Sequence, residues 1–111
     1  MKLLDLKTQN SNTPFLIKTK AGIEIVGTLL YSDENTFTAA KLRELHVVPN
    51  APQPGTPGQQ VSMSISIAKP FVTLDPDAEL EFRYTDIYAA FEVPLDLEKH
   101  YLEQTSGIQL A

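Results

Sequence analysis

The chain has 111 residues, 42% of them hydrophobic and 21% charged, with no cysteine and a formal net charge of −5. One globular domain spanning 1–111 is expected, and disulfides, thiolate metal sites and cysteine nucleophiles are excluded. The acidic balance is the opposite of a general nucleic-acid binder's footprint, so DNA is not an expected partner, although Lys18 with Lys20 and Lys41 with Arg43 place cations close together.

Near the start, Lys2, Asp5 and Lys7 interrupt the apolar residues. Neither a signal peptide nor a membrane span is expected, and the cytoplasm is the expected location. Leu3, Leu4 and Leu6, followed by the polar run Thr8 to Asn12, predict a short N-terminal helix.

Phe15 to Lys20 and Ile23 to Tyr31 are rich in strand formers and are separated by Ala21-Gly22, which predicts a β-hairpin. In its second strand Ile23, Ile25, Leu29 and Tyr31 fall on one face with Gly27, a mid-strand glycine of the kind that marks a sharp bend. The cluster Ser32-Asp33-Glu34-Asn35 is a turn, which Asp33 is expected to cap by accepting backbone N–H groups. Thr36 to Val48 could form a helix through Ala39 to Leu45, but is read as a long strand.

Residues 49–60 form a Pro- and Gly-rich loop, with four of the eight prolines. Val61 to Ile67 alternates apolar and small polar residues, predicting a half-buried strand that Phe71 to Leu74 could resume after Lys69-Pro70. Leu80 to Tyr84 and Ile87 to Val93 are further strands whose apolar parity switches at Thr85-Asp86, which predicts a tight turn or bulge. After Pro94, the 95–111 extension begins with a short helix or a docking tail, with Leu95, Leu97, Tyr101 and Leu102 as its apolar members.

Gly22, Gly27, Leu29 and Asp33 form a G-x-x-x-x-G-x-L-x-x-x-D pattern in a strand-turn-strand setting. This resembles the first motif of the Sm and Sm-like family. Phe82-Arg83-Tyr84-Thr85-Asp86-Ile87 is similar to that family's second motif, with Tyr84 where the motif has glycine. The chain looks most like the divergent Sm-like proteins of cyanophages, which would place it in a host cytoplasm.

The resemblance implies a small, strongly bent, five-stranded antiparallel barrel with a short N-terminal helix, here joined by a C-terminal helix. It also implies a homo-oligomeric ring in which the fourth strand of one subunit meets the fifth of the next, here Val61 to Leu74 against Ile87 to Val93. In the family's RNA-binding members the turn after the second strand supplies a stacking side chain and an asparagine. The second motif's arginine completes the pocket.

By position these become Asn35, Phe37 and Arg83, and a base could stack on Phe37 or Tyr84 with Arg83 alongside. The competing readings place Phe37 in the core and pair Arg83 with Asp33 or Asp86. Single-stranded RNA is therefore the expected partner, with a ring that serves protein interaction alone as the alternative.

No catalytic residue and no cofactor is expected, because neither a Gly-x-Ser-x-Gly elbow nor a phosphate-binding glycine loop occurs. Asp75, Asp77, Glu79 and Glu81 are read as an acidic surface turn, and His46 and His100 lack metal-ligand spacing.

Overall fold

The computed structural model describes residues 3–49, 63–68, 75 and 77–106. Its elements are β1 (Thr13–Thr19), β2 (Glu24–Ser32), β3 (Thr36–Pro49), β4 (Met63–Ala68), β5 (Leu80–Arg83), a 3-10 turn (Tyr84–Asp86), β6 (Ile87–Phe91) and α1 (Leu95–Ser106). Of the loop expected at 49–60, Pro49 instead ends β3 in register with Met63, and the rest, like the resumed strand at 71–74, lies outside the described residues. No described helix is long and apolar enough to cross a membrane.

All the described strands join one six-stranded sheet, ordered β4-β3-β2-β1-β6, with β5 also paired to β3. Every strand pairing among the described residues is antiparallel. β3 is a strand despite its helix-favouring Ala39 to Leu45 stretch because both of its edges are engaged. β2 takes one edge, while β5 (at Thr36 to Ala39) and β4 (at Glu44 to Pro49) divide the other.

Two expectations are corrected here. The sheet is not closed into a five-stranded barrel: six strands are described, and its terminal strands β4 and β6 do not pair with each other. Nor is there an N-terminal helix among the described residues. Leu3 instead bridges Phe91 antiparallel, and the Leu4 N–H donates to the Ala90 carbonyl at 2.6 Å, so the N-terminal segment lies along the outer edge of β6.

The Asp5 carboxylate accepts the Lys7 N–H at 3.0 Å, and the Asp5 carbonyl accepts the Thr8 N–H and hydroxyl, each at 3.2 Å. These local bonds offer the backbone a turn in place of a helix. Leu6, just inside the turn, is buried in the core.

Gly22, at a φ of +88°, closes the β1–β2 hairpin in a conformation that side chains disfavour. Two bulges then bend β2 against β3. Register passes from Val26–Arg43 to Thr28–Ala40, so Lys41 and Leu42 together face Gly27, with Lys41 left-handed at a φ of 54°. It next passes from Leu29–Ala39 to Tyr31–Thr38, leaving Leu30 as the extra residue. The second bulge reverses the parity expected of Tyr31, which is 63% exposed rather than sharing the buried face of Leu29.

Gly27 allows this bend because nothing larger fits. A Cβ there would stand 2.6 Å from Leu42 Cδ2 and 3.2 Å from Phe15 Cζ, both belonging to buried side chains. Gly27→Ala is therefore expected to cost about 1–3 kcal/mol through overpacking, with part of the loss recovered when Leu42 is shortened to valine. Urea denaturation of the single and double variants measures both, and equal losses in the two would contradict the clash.

Both faces of the sheet are covered. One carries Phe15, Ile17, Ile25, Leu29, Phe37 and Leu42 with Leu6 from the N-terminal segment, and the other carries Leu16, Val26 and Ile67 beneath Tyr101 of α1. The alternation predicted for 61–67 thus buries Ile67, while Ile65 is 59% exposed.

On α1, Leu97, Tyr101 and Leu102 face the sheet, as a helix with apolar residues three to five apart can arrange. Tyr101 is fully buried, and its hydroxyl donates to the Lys41 carbonyl at 2.9 Å. Because that uses its single proton, the Thr28 hydroxyl at 2.7 Å is the donor to it. The helix thereby fastens the bulge at Lys41.

Arg43, grouped with Lys41 as a surface cation in the sequence, is buried. Its Nε donates to Gln104 Oε1 at 3.0 Å and its guanidinium donates to the Leu42 carbonyl at 2.9 Å. It joins α1 to the sheet rather than forming an exposed basic patch with Lys41.

Candidate nucleic-acid interface

The site begins at the β2–β3 turn. Asp33 Oδ1 accepts the Asn35 and Thr36 N–H groups, both at 2.9 Å, and the Thr36 hydroxyl at 3.2 Å. Chiefly the Asn35 N–H, then that of Thr36, hold the Asp33 carboxyl below its ordinary pKa. This is the cap expected of Asp33, and it fixes Asn35 at the tip of the turn.

The second half of the site comes from the β5–β6 corner. Arg83 is the register partner of Thr36, and the Tyr84 N–H donates to the Asn35 carbonyl at 3.1 Å, which fastens the 3-10 turn onto the β2–β3 turn. Three of the residues expected at an RNA pocket, Asn35, Arg83 and Tyr84, therefore line one groove of about 420 Å³ with Lys7, Glu34, Thr36 and Thr85.

Arg83 is exposed, and among the described residues it makes no ion pair with Asp33 or Asp86. It lines the groove without a carboxylate partner among the described residues.

Phe37 is the exception. It is 1% exposed, stacked on Phe82 at 5.1 Å, edge-on to Phe15 at 5.6 Å and tilted against Tyr84 at 5.4 Å. The Phe37–Phe82 stack follows from register, since the two residues are directly paired across β3 and β5. Phe37 would have to leave the core to stack on a base, so its place at the pocket is corrected to a supporting one beneath Tyr84.

Lys7 is the residue that sequence reasoning missed. Its Nζ lies 5.1 Å from the centre of the Tyr84 ring, within cation–π range. No local signal in the sequence pointed to it, because it arrives only through the docking of the N-terminal segment.

Burial pushes the Tyr84 phenol pKa up, with the Asp33 and Asp5 carboxylates adding to the effect. The hydroxyl is buried without a hydrogen-bond partner among the described residues. The Ser32 side chain approaches it outside hydrogen-bonding geometry.

The groove thus combines two cations with an amide that can donate and accept, and one aromatic ring. Glu34 opposes the cations in the lining. Such a set can hold one anionic group and one planar polar ring edge, with modest electrostatic pull.

Elsewhere the acidic stretch behaves as a turn: Asp75 Oδ1 accepts the Asp77 N–H at 2.9 Å and the Asp75 carbonyl accepts the Ala78 N–H at 3.0 Å. His46 is exposed beside Glu44 at 3.7 Å. No cluster of three metal-ligating side chains occurs among the described residues.

The fold and this groove define a mainly β protein built on one antiparallel sheet with a helix packed on its outer face. No protein-family model matches the sequence, and no curated protein matches it significantly.

Proposed function

We propose that this chain is a non-catalytic Sm-like protein of the cytoplasm that assembles into a homo-oligomeric ring and binds single-stranded RNA in the Asn35–Arg83–Tyr84 groove. The observation that carries the reading is the convergence of these three residues, from turns 48 positions apart in sequence (Asn35 to Arg83), on one solvent-open groove. The sheet order supports assembly as well: β4 and β6 stand at opposite ends, so one can pair head-to-tail with the other on a neighbouring copy, the kind of contact that a ring repeats.

Phe37's burial and the net charge of −5 favour a second reading, a ring that serves protein interaction without RNA.

Native mass spectrometry of the protein with and without a short uridine-rich RNA tests the proposal, a ring carrying RNA being the expected species. Arg83→Ala is expected to weaken RNA binding about tenfold to a hundredfold, the worth of a charged hydrogen bond, and to flatten the salt dependence by about one counterion. Its thermal midpoint should stay that of the parent, because the exposed guanidinium makes no ion pair among the described residues. A ring that never takes RNA selects the second reading, and a monomer at all concentrations removes both.

A further inference from the structure

The N-terminal segment occupies part of the edge that ring assembly would use. Leu3 bridges Phe91 and the Leu4 N–H bonds the Ala90 carbonyl, whereas farther along β6 the segment diverges. A groove of about 420 Å³ opens there between Asp5 to Lys7 and Ile87 to Ala89. The edge is therefore shut at one end and open at the other.

At the opposite end of the sheet, the outer edge of β4 has no strand partner among the described residues. Both edges are flanked by exposed apolar side chains that the exchange leaves in place: Val47 and Ile65 beside β4, at 64% and 59%, and Tyr88 on β6, at 72%. The two are complementary in kind, and a second copy is the occupant they fit.

We propose that residues 3–4 act as an intramolecular stand-in for a neighbour's strand, so that β4 of a second copy must displace them from β6 before subunits can join. The inference rests on the ring reading above. The displacement can be local. Leu6 stays plugged in the core and the Asp5–Thr8 turn is held by its own hydrogen bonds, so the segment can hinge at Asp5 while Lys7 keeps its place over Tyr84.

What is given up is one short bridge and the packing of half-buried Leu4 against the core. What is gained is the fuller ladder that a strand the length of β4, Met63–Ala68, can form along β6. The exchange thus favours assembly at high protein concentration and the closed monomer at low concentration.

The chain has no cysteine, so a Leu3→Cys/Phe91→Cys pair can lock the segment to β6 in a way that reductant reverses on the same molecule. By analytical ultracentrifugation, the oxidised pair is expected to assemble at least about tenfold more weakly than the reduced pair, the worth of the competing edge contact. Leu4→Pro, which removes the donor to Ala90, should shift assembly to concentrations about tenfold lower than the parent's.

If the parent forms rings while neither the lock nor Leu4→Pro moves the equilibrium, the competition is refuted and the ring reading stands. If nothing assembles even with Leu4→Pro, both fall together.

Discussion

Tyr101→Ala is expected to destabilise the protein by about 3–5 kcal/mol, the cost of removing a large, fully buried aromatic side chain. Two losses combine in it. The ring is the centre of the apolar contact between α1 and Leu16, Val26 and Ile67, and its hydroxyl is the partner of both the Lys41 carbonyl and the Thr28 hydroxyl. Tyr101→Phe separates the two, keeping the ring and leaving a part-buried carbonyl and hydroxyl unpaired, at an expected cost of about 1–3 kcal/mol.

The same residue predicts an alkaline limit. Burial raises the Tyr101 phenol above its ordinary value of 10.0, against the opposing Thr28 hydrogen bond and the Arg43 charge. The unfolded chain then releases its phenolic proton at a pH where the folded chain still holds it. Stability is fully present below about pH 10 and falls as pH rises past it toward the folded value. Chemical denaturation at a series of alkaline pH values should show this fall in the parent and a shallower one in Tyr101→Phe. Tyr84, raised by the same cause, contributes to the fall that remains.

Phe37→Ala is the second large effect, also about 3–5 kcal/mol, because it opens a cavity where Phe15, Phe82 and Tyr84 meet. The variant discriminates between the two roles the sequence allowed. A residue that stacked on RNA from the surface would lower affinity and leave the denaturation midpoint unchanged. The buried residue seen here should lower the midpoint sharply. Any loss of RNA binding should then follow from a Tyr84 ring that has lost its support. If the proposed RNA binding holds, measuring both quantities on Phe37→Ala and Arg83→Ala should give opposite patterns: stability first in one, binding alone in the other.

Where a feature depends on neighbours in the chain, the residues announced it. The Ala21-Gly22 hairpin, the Asp33 cap, the bend at Gly27 and the turn at Thr85-Asp86 each need a particular backbone conformation or a nearby donor, and short-range chemistry supplies these. The convergence of Asn35, Arg83 and Tyr84 was legible too, though through motif resemblance rather than through spacing.

Sequence by itself therefore determined the order and type of most elements and the two turns from which the groove is built. Tertiary structure alone decided which side chains those turns expose. A one-residue bulge at Leu30 reverses the face of Tyr31, direct pairing with Phe82 draws Phe37 inward, and α1 buries Arg43 against Gln104. It also decided that residues 3–4 extend along β6 instead of forming a helix, which occupies part of that edge and delivers Lys7 to Tyr84. The physical reason is common to all of these. Alternation along a strand tells which residues share a face, but register, bulges and the covering element set whether that face meets core, helix or water.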